Sequence, residues 1–365
     1  MLGITRTKIA FTALTIVTLL TAAGSKAADK KTVEITIPNW LASTEIYGDI
    51  RLRQQWDEIT GQDTRSRQRI RFRLNGETSI GKKLKIGYGL ATGGSDPRST
   101  NQTLNNNFET PDIRLNNAYA LWLPFDGLNI WGGKYNGIKH IMWRPTDLLW
   151  DSDITPDGAG LNYTYKDFFT HAGYLIVDEL KSESNPGMGY AQAGMEIPLS
   201  GNTAFKAAGV WYIPRSMQGS VMDHSKGNNS TNELGGLLYD FNCVQGIVEL
   251  SGKKIAGLDK AALMADYIIN TDPDDDNIGW DIGFKLKKSR IAFKYNYRHL
   301  EKDAFVDTYP DSDAADGMTG VKGHEAEIEF AVYKHTSLNF DYYHMTEIDS
   351  NKDRDVIQLD LVVKF

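Results

Sequence analysis

Apolar and polar residues alternate with a period of two through most of this chain, from Thr44 to the last residue. In the final segment five apolar residues share one face and polar residues take most of the other: Ile357, Leu359, Leu361, Val363 and Phe365 against Gln358, Asp360 and Lys364. Successive side chains of a β-strand point to opposite faces, whereas a helix repeats every 3.6 residues. The pattern therefore predicts strands.

About sixteen such segments follow one another. They lie near 45–56, 67–79, 83–92, 112–123, 127–135, 158–165, 168–178, 187–197, 202–213, 240–251, 258–270, 277–287, 289–301, 322–333, 336–347 and 354–365. Short turns alternate with longer polar loops between them. An even number of strands joined in this way is typical of an up-and-down barrel in an outer membrane. Fourteen or eighteen strands remain open, because residues 233–241 fit either a strand or a loop.

The chemistry of the two faces separates a membrane barrel from a soluble β-sandwich or β-helix. One face of nearly every segment is apolar and carries Tyr, Phe and Trp near the strand ends, as membrane interfaces favour. The other face is charged, whereas a soluble fold would turn its apolar face inward. We predict an all-β transmembrane antiparallel barrel over residues 44–365, with short periplasmic turns and long extracellular loops.

The N-terminal residues predict export. Arg6 and Lys8 precede an apolar run over 9–20, and small residues follow up to Ala27. This order is typical of a cleaved signal peptide over 1–27, and the alternative of a membrane anchor needs a longer apolar run. Residues 28–43 would then form a short periplasmic segment ahead of the barrel.

Charge argues against a nucleic-acid partner, and cysteine content excludes an internal disulfide framework. Cleavage would remove three basic and no acidic residues, which takes the formal charge from −7 to −10. Such an acidic chain gives no support for a nucleic-acid partner. Cys243 is the one cysteine, so an internal disulfide framework is excluded.

Every second residue of the first two strands is predicted to face the interior of the barrel. These inward positions carry a ladder of six arginines. The inward basic residues are Arg51, Arg53, Arg67, Arg69, Arg71 and Arg73, followed by Lys85 and Arg114 on the next two strands. Such a basic wall attracts anionic groups. The alternative is that a water-filled lumen tolerates any charge, because salt screens it within about 8 Å.

Inward acidic residues are predicted on the far side of the barrel from this ladder. They are Glu325, Glu327, Glu329, Asp341 and Asp360, and Asp49 lies on the first strand itself.

The third long loop, 136–157, is too apolar to extend into water. Its apolar residues are Ile138, Ile141, Met142, Trp143, Leu148, Leu149 and Trp150, and its charged candidate site residues are Lys139, Arg144, Asp147, Asp151, Asp153 and Asp157. If this loop folds into the lumen, the four aspartates would face the arginine ladder across a constriction.

Three stretches carry a resemblance to a known family. The sequences RSRQRIRFRL (65–74), ATGGSDPRSTNQTL (91–104) and WRPTDLLWDSDITPDG (143–158) are similar to the putative porin family of Gram-negative outer membranes. The resemblance implies a porin-like channel without naming a solute. In general diffusion porins the third long loop narrows the lumen, which supports the same expectation here by analogy.

Passive diffusion of small hydrophilic solutes and ions is therefore the expected function, and no cofactor is expected. An enzyme is not expected, because the seven histidines are scattered and no HExxH or GxSxG motif occurs. The stretches DSNKDRD (349–355) and DPDDD (272–276) lack the ligand pattern of a calcium loop, so no metal site is predicted. The alternative is a surface interaction protein, such as an adhesin or phage receptor, built on a barrel.

Four partners are expected besides the solutes and ions. They are outer-membrane lipids, lipopolysaccharide, further copies of the chain in a homotrimer, and the barrel assembly machinery, which would recognise the C-terminal strand ending in Phe365.

Overall fold

The computed structural model describes residues 39–181 and 184–365. The predicted signal peptide and most of the segment 28–43 lie outside these residues. The described part begins with a one-turn helix, α1 (Asn39–Ala42), directly before the first strand. No helix among the described residues is long and apolar enough to cross a membrane.

Seventeen strands follow in chain order within the described part of the chain. They are β1 (Thr44–Ile59), β2 (Arg65–Ile80), β3 (Leu84–Thr92), β4 (Gln102–Thr103), β5 (Ile113–Trp122), β6 (Leu128–Lys134), β7 (Asp157–Tyr165), β8 (Phe168–Ile176), β9 (Gly187–Ser200), β10 (Thr203–Arg215), β11 (Cys243–Ile255), β12 (Leu258–Asn270), β13 (Ile278–Lys288), β14 (Ile291–Leu300), β15 (Val321–Tyr333), β16 (Thr336–Glu347) and β17 (Asp353–Lys364). All of them belong to one sheet.

Sixteen of these strands close into an antiparallel barrel. Each pairs with its neighbours in sequence, and β17 pairs with β1 to complete the circle. The two-residue β4 lies outside this circle and pairs with β2, beyond the end of β3. Closure leaves no sheet edge with unpaired backbone groups, which is what a sheet needs in lipid. The sequence-based prediction of a barrel with about sixteen strands is confirmed.

The outer wall is apolar, as the alternation predicts. Ile50 and Leu52 of β1 and Leu359 and Leu361 of β17 are exposed on the outer face of the β1–β17 pair. Short turns join the strands at one end of the barrel, and residues such as Ser289 and His335 have positive φ there. Tight hairpin turns need positive φ because their twist must match that of the strands.

Four long connections leave the other end of the barrel. We name them loop 2 (93–112, which contains β4), loop 3 (135–156), loop 5 (216–242) and loop 7 (301–320). The largest cluster of buried apolar residues combines side chains of loops 3, 5 and 7 with inward-facing residues of the strands. The apolar core therefore lies inside the barrel and contains loop residues.

Candidate functional site in the barrel interior

Loop 3 contacts inward-facing side chains on several strands. The amide side chain of Gln192 on β9 donates to the carbonyl of Trp143 and accepts from its backbone N–H, both at 2.8 Å. The Thr146 hydroxyl donates to Asp266 on β12 at 2.8 Å, and Lys285 on β13 donates to the Pro145 carbonyl at 2.9 Å. These contacts place the first half of loop 3 along the inner face of β9 to β13.

Loops 3 and 7 pack together around Trp150. Its ring stacks on Tyr309 at 4.8 Å between centroids and meets Phe305 edge-on at 5.3 Å. The indole N–H donates to the Tyr212 hydroxyl of β10 at 3.1 Å. Aromatic pairs at such distances add stabilisation beyond the area that they bury. A loop–loop contact of this kind inside the barrel was not predicted, although Phe305 and Val306 gave loop 7 the same apolar signal as loop 3.

Arg98 joins loop 2 to loops 5 and 7. Its side chain is fully buried and pairs with Asp96 at 3.0 Å. Its two terminal nitrogens also donate to the carbonyls of Asp307 at 3.1 Å and His224 at 2.8 Å. A buried guanidinium needs several acceptors to offset its desolvation, and three loops supply them here. Sequence reasoning missed this residue, although it lies in one of the stretches that carry the family resemblance.

Five of the six ladder arginines contact at least one carboxylate. Arg53 pairs with Asp360 of β17 at 2.7 Å and with Asp313 of loop 7 at 2.9 Å. Arg71 and Arg73 share Asp49 on the neighbouring strand, at 2.8 and 2.7 Å. Counter-ions at this density offset the repulsion that six adjacent cations would otherwise produce.

The remaining arginines of the ladder differ in their partners. Arg67 pairs with Asp57 at 2.7 Å, and Arg354 of β17 reaches the same carboxylate at 3.1 Å. Arg51 donates to Asn101 of loop 2 at 2.6 Å and lies 3.6 Å from Asp360. Arg69 donates to two neutral oxygens and to no carboxylate within the described ranges.

Of the four aspartates predicted to face the ladder, Asp153 contacts it. Its carboxylate lies 3.0 Å from Arg73 and 3.8 Å from Arg71, and it accepts from the hydroxyl and N–H of Thr100 in loop 2. Burial opposes its ionisation, but the charges of Arg73 and Arg71 outweigh burial and hold the pKa of Asp153 below its ordinary value.

Asp147 lies away from the ladder, near β14, which is five strands round the barrel from β2. It pairs with Arg144 of its own loop and lies 3.3 Å from Lys294 on β14. Burial raises its pKa, but these two cations outweigh burial and lower the pKa of Asp147 overall. Asp147 pairs with no ladder arginine in the described part of the chain, and a position across a constriction from the ladder stays a prediction.

Asp151 contacts loop 7 through its backbone. Its carboxylate accepts from the N–H groups of Ser312 and Asp153, both at 2.8 Å, and its own N–H donates to the Tyr309 carbonyl. Burial and the negative charge of Asp153 raise the pKa of Asp151 to about 8. Asp311 of loop 7 also has a raised pKa, caused by burial and by the charge of Asp151.

Asp157 is the first residue of β7 and was wrongly assigned to the constriction loop. It has the outward parity of Leu161, pairs with Lys134 of β6 at 2.9 Å and is about half exposed. Lys139 lies in a short 3-10 turn of loop 3, over Ile138–His140, and is exposed.

The acidic residues do not lie on the far side from the ladder. Closure of the barrel places β15 to β17 beside β1, so that Asp360 is paired in register with Arg53. Asp341 lies one strand further on, in register with Gln358. The prediction was wrong because inward parity does not give a position around the barrel.

The other predicted residues have local partners. Glu325 pairs with Lys294 and Arg298, and Glu327 pairs with Lys294. Glu329 is half-buried and in register with Ala292 of β14. Lys85 pairs with Glu77 at 2.7 Å, and Arg114 donates to the Gly93 carbonyl and pairs with Asp112 at the loop end of β5.

A closed sixteen-stranded barrel with an apolar outer wall and a charged inner wall defines a porin-like channel protein. The family model described as "Putative porin" matches residues 58–257 and 238–365, which together cover most of the chain. The chain belongs to this family. No curated protein matches the chain.

Solved structures show the same fold at low identity. A triple mutant of the Rhodopseudomonas blastica porin aligns with a TM-score of 0.53 and 11% identity, over 88% of this chain and 100% of the other. The high-pH structure of Pseudomonas putida OprB aligns with a TM-score of 0.59 and 13% identity, over 88% and 94%. At such identity the likeness establishes the fold alone.

Proposed function

We propose that the protein forms a water-filled channel in the outer membrane for passive diffusion of small hydrophilic solutes and ions. The observation that carries this proposal is a closed barrel whose inner wall keeps solvent-accessible charges. Arg73, Lys85, Asp147 and Glu327 face inward, and their side chains retain between 28% and 35% exposure. An interior lined in this way admits water, as sixteen strands allow.

We further propose that loop 3 narrows the channel together with loop 7. Support comes from the contacts of loop 3 with two separate parts of the inner wall, at Arg73 on β2 and at Lys294 on β14. The transverse field would then arise from Asp153 beside the arginines and from the Arg144–Asp147–Lys294 group, five strands away around the wall. This proposal differs from the sequence-based expectation, in which four aspartates of loop 3 face the arginine ladder.

Planar-bilayer recording of the purified full-length protein tests the proposal. We expect discrete conductance steps in potassium chloride, well above the leak of the bare membrane. A folded barrel that inserts into the bilayer and gives no steps would contradict the channel function and favour the alternative of a surface interaction protein. Homotrimer formation, contacts with outer-membrane lipids and lipopolysaccharide, and recognition by the barrel assembly machinery stay predictions.

A further inference from the structure

Hydrogen-bond donors outnumber acceptors around Arg69, on the loop-end half of β2. Its two terminal nitrogens donate to the side-chain oxygen of Gln55 at 3.0 Å and to the hydroxyl of Ser99 at 3.2 Å. Its Nε is buried and has no partner in the described part of the chain. Both acceptors are neutral, so three of the five N–H donors of the guanidinium stay unused and no counter-ion is in direct contact with it among the residues that the structure describes.

The Ser99 hydroxyl adds a further unused donor. Its oxygen accepts from Arg69, and at longer range from the N–H of Asn101 at 3.3 Å and from the Asn101 amide at 3.4 Å. A hydroxyl has two lone pairs and one hydrogen, so these three donors compete for the two lone pairs of Ser99 and leave it no free acceptor capacity. Among residues 39–181 and 184–365 this hydroxyl donates no hydrogen bond, and the side chain of Ser99 is half-buried. An acceptor supplied from outside the chain would satisfy both groups.

The ion-pair network around Arg69 also contains more positive than negative charges. Seven arginines belong to it, and five aspartates pair with them: Arg51, Arg53, Arg67, Arg69, Arg71, Arg73 and Arg354 with Asp49, Asp57, Asp153, Asp313 and Asp360. Arg69 is the member without a carboxylate within this network, and Arg51 has one only at 3.6 Å. The surplus of positive charge therefore centres on the pair of arginines that loop 2 contacts.

We propose that Arg69 and Ser99 form a binding site for a small oxyanion inside the barrel. The inference rests on the proposed function, because it takes the interior as the path of the solute. A guanidinium matches the oxygens of phosphate, sulfate or a carboxylate with two parallel N–H donors, and the Ser99 hydroxyl supplies a third. Loop 2 would then act as a specificity element, since it brings Ser99 to the ladder.

Inorganic phosphate is the probe for the first test. In planar bilayers bathed in potassium chloride, phosphate added on the loop side should reduce the chloride conductance of the wild-type channel in a saturable manner. Arg69→Gln should raise the half-blocking phosphate concentration about tenfold or more, the factor expected for losing a charge-assisted hydrogen bond. Ser99→Ala should raise it by a smaller factor, because it removes a neutral donor.

Arg114→Gln is the matched control. It removes the same charge from another inward-parity arginine, which already bonds to the Gly93 carbonyl and Asp112. It should leave the half-blocking concentration unchanged. An equal rise in Arg114→Gln and Arg69→Gln would overturn the site in favour of a general electrostatic effect, and so would saturable block that is unaffected by Arg69→Gln.

Phosphate binding can be measured independently of conductance, so that the binding site and the channel function are tested separately. Phosphate should raise the thermal unfolding midpoint of the detergent-solubilised full-length protein by linkage, and this shift should be lost in Arg69→Gln but kept in Arg114→Gln. Arg69→Gln leaves no carboxylate unpaired, so the variant is expected to fold. Absence of conductance with a retained shift would reject the channel and keep the site. Normal conductance without a phosphate-dependent shift would reject the site.

Discussion

The charged inner wall is stabilised residue by residue through buried ion pairs. Arg53 and Asp360 are each about 2% exposed in their side chains and meet across the seam that closes the barrel. A buried charge without a partner is costly, so each cation of the ladder requires an anion or a neutral acceptor nearby. Asp49 could have been predicted as a partner of Arg73 from its inward position on the neighbouring strand, although the β1–β2 connection that sets their register is shorter than the segments 45–56 and 67–79 predict. Asp313 could not, since it belongs to a loop 260 residues away from Arg53.

The pair between Asp153 and Arg73 is expected to hold the end of loop 3 on β2. Asp153→Asn should lower the free energy of unfolding by about 3 kcal/mol, because Arg73 and Arg71 would lose a buried counter-ion. Urea or guanidinium unfolding of the detergent-solubilised protein measures the change. In a double-mutant cycle, Arg73→Gln should cost less in the Asp153→Asn background than in the wild type. Additive effects of the two substitutions would show that the pair makes no net contribution.

Asp151 should make the contact between loops 3 and 7 sensitive to pH. Its carboxyl is next to Asp153 of loop 3 and near Asp313 and Asp311 of loop 7, and its pKa is raised from 3.8 to about 8. A raised carboxyl pKa means that the folded state favours the protonated form. The resulting stabilisation is therefore complete below about pH 4, declines as pH rises and is lost above about pH 8.

Single-channel conductance recorded between pH 6 and pH 9 tests this dependence. We expect conductance or its fluctuation to increase near pH 8 in the wild type, as ionised Asp151 repels the carboxylates of loop 7. Asp151→Asn should remove this step, whereas Asp126→Asn, in the short turn between β5 and β6, should keep it. An unchanged step in Asp151→Asn would assign the pH dependence to another group.

At the scale of elements, strands and loops differ in how far sequence determines them. Each strand was predictable because period-two alternation is a local property of the chain. The path of a loop depends on contacts between distant segments, such as those of Trp150 with Phe305 and Tyr309. The apolar residues of loop 3 predicted that it packs against something, but nothing in the sequence alone identified loop 7 as the partner.

Shortening loop 3 tests its proposed role as a constriction. Replacement of residues 138–156 by a short Gly-Ser linker should increase single-channel conductance, because the polypeptide proposed to occupy the channel would be removed. Shortening the 271–277 connection between β12 and β13 is the control, and it should leave conductance unchanged. Resistance of the barrel to unfolding in detergent must be measured alongside, since loop 3 contributes to the buried apolar cluster. Unchanged conductance in a folded loop 3 variant would place the constriction elsewhere.

At the scale of the whole molecule, closure of the sheet makes the first and last strands neighbours. The order of the strands along the chain does not show this. Alternation separates inward from outward residues, and this part of the prediction explains why the arginines share one wall. It does not give the angular position of a strand, so Asp360 was expected opposite the ladder although β17 pairs with β1. The rule that a membrane sheet must close would have corrected this.

The ion selectivity of the whole channel should depend on the sign of the charge carried by the inward-facing residues of β2. Arg67, Arg69, Arg71 and Arg73 changed together to Glu should shift the reversal potential in a potassium chloride gradient towards cations, because the local surplus of positive charge becomes negative. Lys82, Lys166, Lys288 and Lys334 are exposed at the short-turn end of the barrel. Changing these four to Glu alters the net charge of the molecule equally and serves as the control.

The control variant should have a reversal potential close to that of the wild type, since its charges lie outside the proposed path and are screened within about 8 Å at physiological salt. The β2 variant also removes the partners of Asp49 and Asp153, so Arg69→Glu alone, which leaves no carboxylate unpaired, should give a smaller shift in the same direction. Equal reversal potentials in the wild type and both β2 variants would place the ladder outside the permeation path. A shift in the control as large as that in the β2 variant would attribute selectivity to net charge.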